Sequence, residues 1–460
     1  MPRSAVLTVL TLAALLVAAY RGRKLITAIA RAAPAMRWDR PWERLGFVIR
    51  EVGLHRRLLK IRLSGSFHLM IFCGFLALLP AIVADFGAGF FPGFSLRPIG
   101  GDSWLALLQD LFGIVIIFAT GLAAWHRFVL RPARFAGSKA GDATLIYGLM
   151  LLVVLSMFTE FASRIVAGEM ASGWRPISSM LAEMLVALGL SPAGGRTLAN
   201  GAYWAHILSV LAFFAYIPGS KHRHIFTAIP NIFFRSLAPR GALPAPPAAR
   251  GQIGIGRLDQ FSWKDILDLA SCTECGRCQA ACPAHAAGQP LSPKLLIMDL
   301  RESVMADQRL AAAPFLGNAI REETLWSCTT CRACMEVCPL HIEHVPKIVE
   351  MRRQLVEEAR IGANLQEALS NLQRSGNSMG KPARQRARWT KDLGFKVKDA
   401  RKEPVDLLWF VGDYAAFDPR SQRVTIALAR LLKAAGVGGF IFAGGDAPAT
   451  LREAHRILAL

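Results

Sequence analysis

The chain has 460 residues, 53% of them hydrophobic, with 54 Lys and Arg against 33 Asp and Glu for a net charge of +21. A mean hydropathy of +0.34 excludes an ordinary soluble globule, and the length admits two or three domains. A basic excess of this size raises nucleic acid as a partner. Its placement in loops between apolar segments assigns it instead to membrane topology, and no nucleic acid is expected.

Five apolar segments precede residue 220, each long enough or nearly so to cross a bilayer as a helix: Ser4–Tyr20, Gly65–Asp85, Trp104–Trp125, Ala143–Ser163 and Gly201–Pro218. The first is short enough to be a signal peptide. However, Arg21, Arg23 and Lys24 follow it and only Arg3 precedes it, which favours an uncleaved anchor with its N-terminus outside. Residues 21–62 then hold 12 Lys and Arg, and the loop after the third segment holds Arg127, Arg131, Arg134 and Lys139. The intervening loops are poor in positive charge, with Arg97 in one and Arg164, Arg175 and Arg196 in the other. This alternation puts everything after the fifth segment in the cytoplasm. The apolar stretch Ile177–Leu190 is too short to span and is expected to lie on the outer surface or to cover the bundle.

Lys221, His222, Arg223 and His224 mark the inner face, and Ala238–Arg250, with Pro239, Pro244, Pro246 and Pro247, reads as a stiff linker. Two runs follow. Cys272, Cys275, Cys278 and Cys282-Pro283 form the first; Cys328, Cys331, Cys334 and Cys338-Pro339 form the second. Each is C-x2-C-x2-C-x3-C-P, the spacing that holds [4Fe–4S] clusters in bacterial-type ferredoxins. Three thiolates on a tight loop reach one cubane, while the fourth leaves the loop and ligates the other cluster. Cys272, Cys275, Cys278 and Cys338 are therefore expected at one cluster, and Cys328, Cys331, Cys334 and Cys282 at the other. Zinc uses two cysteine pairs and does not call for the third and fourth cysteines of each run. Disulfides suit small secreted scaffolds, which this chain does not resemble. Thiolate-ligated clusters need a reducing compartment, in agreement with the cytoplasmic placement.

Within residues 260–365, Leu291–Val304, Arg309–Leu325 and Glu343–Arg360 are expected to be helical. Residues 366–403 read as basic and irregular. The tail is expected to form a short α/β unit: strand Val405–Val411, helix Arg420–Ala435, strand Gly438–Ala443 and helix Ala447–Leu458. The expected organisation is thus multi-domain. A five-helix transmembrane bundle spans residues 1–225 and a Pro-rich linker 226–259. A mainly helical two-cluster domain covers 260–365, and a basic connector with the α/β unit covers 366–460.

Ionisable residues at membrane depth are candidates for function because their burial is costly. Haem b in a bundle needs two imidazoles on facing helices at one depth. By depth His68 pairs with His222 or His224, while His206 near the outer face has no partner histidine, so one haem is favoured over two. The rival for His126, His222 and His224 is simple capping of helix ends. Asp85, Asp110 and Glu160 collect with His206 in the outer half, as a proton-accepting quinone site or as merely interfacial groups. Cys73 reads as a small core residue. His285, His341 and His344 flank the clusters as surface or hydrogen-bonding residues.

The segments Glu51–Lys60, Gly65–His68 with Phe72–Phe75, Trp204–His206, Ile217–His224, Cys272–Lys294, Trp326–Arg353 and Leu408–Gly412 together resemble membrane-bound iron–sulfur oxidoreductases. These fuse a cytochrome b module, similar to the nitrate reductase gamma subunit, to a heterodisulfide-reductase-like iron–sulfur module. The electron-transfer-flavoprotein:menaquinone oxidoreductase is the type most resembled. The spacing of eighteen from His206 to His224 is similar to that of the haem ligands on that subunit's last helix. The resemblance also implies a C-terminal domain with paired cysteines. Here Asp413 stands at the first expected cysteine, and the paired-cysteine region reads Gly444-Gly445-Asp446-Ala447. The resemblance therefore does not extend to heterodisulfide reduction. It leaves a truncated or divergent member, or a second subunit that supplies the rest.

The expectation is a multi-pass protein of the bacterial cytoplasmic (inner) membrane. It would carry electrons from a soluble protein such as electron-transfer flavoprotein, through two [4Fe–4S] clusters and haem b, to menaquinone or ubiquinone. The alternatives are a wiring subunit of a larger complex, transfer from quinol to a soluble acceptor, and a membrane redox sensor or assembly factor.

Overall fold

The computed structural model describes residues 3–91, 93–243, 254–306, 314–398, 403–405 and 407–437. Among the described residues five helices are long and apolar enough to cross a membrane: α1 (Arg3–Arg31), α3 (Arg62–Phe90), α4 (Trp104–Phe128), α5 (Ala140–Val166) and α7 (Pro192–Tyr216). The short α2 (Pro41–Val48) lies between the first two. Every expected span is present. The first, second and fourth run past their apolar stretches at both ends, because polar residues outside lipid extend a helix without cost to its hydrogen bonds; α4 does so only at its C-terminal end and α7 only at its N-terminal end. Val9, Leu16, Leu76, Val83, Phe118, Leu155 and Leu208 are exposed large apolar side chains, which suits a lipid-facing surface.

Inside the bundle, Leu78, Ile116, Val154, Met157, Phe158 and Phe161 join α3, α4 and α5 in one core, and Leu7, Tyr203, Ile207 and Leu211 join α1 to α7. The stretch expected to cover the bundle forms α6 (Pro176–Ala187), whose Ile177 and Leu181 pack on the first of these cores.

The bundle and the cysteine segments fall in one compact unit, Met1–Gln354. Its second half contains α8 (His224–Phe233), α9 (Trp263–Ser271), α10 (Arg277–Ala280), α11 (Pro283–Ala286), α12 (Pro293–Met305), α13 (Glu322–Trp326), α14 (Ala333–Val337) and α15 (His344–Glu357). Three parts of the bundle's sequence hold these helices. Near the end of α1, Lys24 Nζ donates to the Met305 carbonyl at 2.9 Å. Ala33 also exchanges backbone hydrogen bonds with Phe261 and Trp263, both 2.9 Å. After α4, Ser138 Oγ donates to the Glu274 carbonyl at 3.0 Å. After α7, Asn231 Nδ2 donates to the Leu340 carbonyl at 2.8 Å. These are the loops in which positive charge concentrates, and they share one end of the bundle.

A buried ion network fastens α8, α9 and α15. Lys264 Nζ lies 2.6 Å from Asp268 Oδ1, and Lys347 Nζ lies 2.5 Å from Asp268 Oδ2 and 2.9 Å from Asp265 Oδ1. Asn231 Oδ1 on α8 accepts from Lys264 at 3.0 Å. Burial alone would raise the Asp268 carboxyl, but the Lys264 and Lys347 ammonium groups hold it below the usual carboxylate range. The same pairing lifts Lys347 against the effect of its burial.

The second unit, Leu355–Leu460, contains α16 (Ala363–Ser375), α17 (Asp413–Phe417) and α18 (Pro419–Ala434) around Trp389, Leu393, Val411, Ala416 and Ala429. Among the described residues it has no β-strand. The described residues of the expected strand Val405–Val411 do not form a strand there, and a strand needs a partner to receive its hydrogen bonds. Its expected partner 438–443, the helix 447–458 and residues 444–447 lie outside the described residues, as do Pro244, Pro246 and Pro247. Two other expectations change. Residues 366–403 are not wholly irregular, because α16 occupies their start. Of the helix expected over Arg309–Leu325, the described part is helical only from Glu322, since Pro314 and Gly317 interrupt it.

Candidate metal centres

Each cysteine run begins with a turn that L-residues rarely adopt. Glu274 and Gly276 in the first, and Thr330 and Arg332 in the second, have positive φ of 59°, 71°, 55° and 65°. Two left-handed residues per loop curl the backbone so that three thiols face one point. They also turn amides inward: Thr330 N donates to Cys328 Sγ at 3.4 Å. Gly276 is required on a second count, because a Cβ there would collide with the Arg134 carbonyl oxygen. The short helices α10 and α14 follow, and the fourth cysteine leaves at a Cys-Pro step that starts the next turn.

The result crosses the two runs. One cavity is lined by Cys272, Cys275, Cys278 and Cys338. The other is lined by Cys282, Cys328, Cys331 and Cys334. The donor chemistry fits iron–sulfur clusters. Burial and then the neighbouring thiols push Cys334 up to about 12; burial and Cys275 push Cys338 up to about 12; burial likewise pushes Cys272 up to about 11. Such a set is costly as free thiolates and is relieved by cationic iron. Among the described residues no three His, Cys, Asp or Glu side chains converge on a single-ion site, whereas four thiols framing a cavity suit a cubane.

The two cavities differ in surroundings. Around the first, Arg277 donates to the Arg57 and Leu58 carbonyls at 3.0 Å each and to Ser64 Oγ at 3.2 Å. Arg57 in return donates to the Met335 and Cys338 carbonyls at 3.0 Å each. Lys294, which also lines this cavity, donates to the Arg134 and Ala136 carbonyls. The first cavity therefore rests against the bundle. At the second, Cys331 is exposed and Cys328 half-buried.

Beyond Arg57 lies a histidine group. His55 Nε2 is 3.2 Å from His68 Nδ1, the His68 and His224 rings are 6.3 Å apart, and His222 and His224 are 5.3 Å apart. Two imidazoles on opposite sides of one iron, each nitrogen about 2 Å from the metal, put their centroids roughly 6 Å apart, so the His68–His224 pair has a suitable separation. Each has its Nδ1 engaged, His68 with His55 and His224 with the Lys221 carbonyl at 3.2 Å, which leaves Nε2 for a metal. Burial lowers His224 and His222, keeping both neutral and able to ligate. His55 is 2% exposed and was not singled out from the sequence. A positive φ of 51° brings it back over His68 thirteen residues on, a turn that composition does not reveal.

The other sequence candidates separate. His206, within α7, contacts the Val153 carbonyl at 2.9 Å, Ser156 Oγ at 3.2 Å and Asp85 Oδ2 at 3.7 Å. Glu160 pairs with Arg164 at 2.7 Å. Asp85 Oδ2 and Glu160 Oε2 carry no hydrogen bond. Asp110 is occupied otherwise: it accepts from Ile177 N at 2.6 Å, Ser178 N at 3.2 Å and the Ser178 hydroxyl, so it caps α6. His126 packs between Phe67 and Phe135. His341 and His344 are buried, and His285 is half-buried.

Residues 264–339 match the family described as the 4Fe-4S dicluster domain. The chain carries a 4Fe-4S dicluster domain. Its homologues are iron–sulfur oxidoreductases and related proteins. A probable iron-sulfur-binding oxidoreductase, FadF, of Bacillus subtilis is 32% identical over 89% of this chain and 65% of its own length. An EtfAB:quinone oxidoreductase of Syntrophomonas wolfei is 30% identical over 83% of this chain and 59% of its own. A probable membrane-anchored ferredoxin of Chromohalobacter salexigens is 39% identical over 41% of this chain and 31% of its own. The chain thus spans less than two thirds of the length of these relatives. No solved structure matches. The dicluster domain match ends at Pro339, one residue past the cysteine that completes the first cavity.

Proposed function

We propose that the protein is a membrane electron-transfer oxidoreductase working between a soluble flavoprotein of the electron-transfer type and a membrane quinone. Cys272, Cys275, Cys278 and Cys338 hold one cluster, Cys282, Cys328, Cys331 and Cys334 the other, and His68 and His224 hold haem b. When bound, these groups supply one-electron carriers in series. The carrying observation is the order of the sites: the thiol set with Cys331 exposed, then the thiol set braced by Arg57 and Arg277, then the histidines beyond Arg57. The exposed end receives the donor, and the braced end excludes water between the dicluster domain and the bundle. Lys294, Arg277 and Arg301 place positive charge around the inner set, which favours the reduced, more negative state. His206, Asp85 and Glu160 are the proton-handling groups of the quinone site, and Asp110 is not among them. The soluble parts face the cytoplasm of a bacterial inner membrane.

A wiring role without substrate chemistry of its own draws on Asp413. Where the resembled family has a cysteine, this carboxylate pairs with Arg386 at 2.7 Å and accepts from Ser378 N at 2.7 Å.

The test is a reduced-minus-oxidised optical spectrum of the detergent-purified chain, with iron and haem quantified on the same sample. About eight iron atoms in cubanes and about one b-type haem per chain are expected. Cluster bleaching without haem would remove the histidine assignment and leave the bundle as anchor and quinone platform.

A further inference from the structure

We infer that His55 is a positioning residue: its Nε2 accepts a hydrogen bond from His68 Nδ1 and so fixes the ring that ligates the haem. The inference rests on the haem reading above.

The geometry is specific. His68 lies in the first turns of α3 and His55 in the turn before that helix, and their ring nitrogens are 3.2 Å apart. His55 is 2% exposed and packs on Phe72, ring centroids 4.7 Å apart. Its backbone sits at φ 51°, a conformation unfavourable for an L-residue, two residues past a π-helical turn over Ile49–Gly53. The same turn carries Arg57, which holds the Cys338 carbonyl. An imidazole that ligates through Nε2 keeps its hydrogen on Nδ1, and a partner for that hydrogen fixes tautomer and orientation and makes the ligand more basic. His224 has such a partner in the Lys221 carbonyl; His55 is the equivalent for His68. A more basic ligand favours ferric over ferrous iron, so loss of this hydrogen bond raises the midpoint potential.

The experiment compares His55→Asn and His55→Gln in the full-length, detergent-purified protein. Asparagine tolerates the left-handed backbone but does not reach His68; glutamine reaches it with an acceptor oxygen. The readouts are the haem midpoint potential and the low-temperature spectrum of the oxidised haem, with iron per chain as the control for folding. His55→Asn is expected to keep a bis-histidine spectrum and to shift the ferric–ferrous equilibrium about tenfold, an upward shift of about 59 mV for one electron. His55→Gln is expected to stay near the unsubstituted protein. Equal potentials in all three proteins would overturn the inference. So would loss of the bis-histidine spectrum in His55→Asn with iron unchanged, since His55 would then be a ligand itself. A protein without haem before any substitution refutes the haem reading and, with it, this role. Should His55→Asn lose its clusters, His55→Gln decides alone: a shifted potential there refutes the rescue on which the assignment depends.

Discussion

Cys338 belongs by sequence to the second cysteine run and by position to the first cavity. Cys338→Ser is therefore expected to lose the cluster of Cys272, Cys275 and Cys278 and to spare that of its own run. Iron should fall by about half, and the surviving paramagnetic signal should match the one that Cys272→Ser leaves. If Cys338→Ser and Cys334→Ser instead left the same signal, the crossing would be refuted. The cysteines were legible in the sequence because their chemistry is carried by spacing alone. His55 was not, because what makes it a partner of His68 is a left-handed turn held by distant packing. Asp110 shows the opposite case: a carboxylate at membrane depth reads as a quinone-site or an interfacial group, and the structure adds the backbone amides of α6 that it accepts from.

At the scale of elements, the Lys264–Asp268–Lys347 network joins the helix that leads into Cys272, the helix that follows Cys338, and the helix that His224 begins. Removing the shared carboxylate leaves two buried ammonium groups short of a partner. Asp268→Asn is expected to cost about 3–5 kcal/mol, measured as a lower midpoint in thermal unfolding of the detergent-solubilised protein. The pH dependence has a definite sign. The folded carboxyls of Asp268 and Asp265 lie below the unfolded value of about 3.9, so their contribution is fully present above that value. It is lost as pH falls further through the folded range, and Asp268→Asn should flatten that acid limb. A limb as steep in the variant as in the parent would remove this assignment. The five long helices and α6 could be read ahead because lipid imposes length and apolarity on a segment regardless of its neighbours. The strand expected at Val405–Val411 is of another kind, because a strand's existence depends on a partner far along the chain, and the expected partner 438–443 lies outside the described residues.

For the whole of the first unit, Arg277 ties the dicluster domain to the bundle through three hydrogen bonds. Arg277→Ala removes three hydrogen bonds and leaves the Arg57 and Leu58 carbonyls without that donor, at a cost of a few kcal/mol. Iron content should hold, while amide exchange over residues 55–64 accelerates and, on the proposed haem reading, electron transfer from the clusters to the haem slows. Unchanged exchange with slowed reduction would instead mark Arg277 as acting on the cluster alone.

The ties at Lys24, Ala33, Ser138 and Asn231 also bear on biogenesis. They come from the end of α1 and the segments after α1, after α4 and after α7, so the seat of the dicluster domain is complete only once the fifth spanning helix has been inserted. The cysteine runs leave the ribosome after that helix. While the last of them is still being made, Cys272, Cys275 and Cys278 lack Cys338, and the first cavity is open on one side. Iron–sulfur delivery to the inner centre thus has a natural interval, between synthesis of Cys338 and closure of the Arg57 and Arg277 contacts over it.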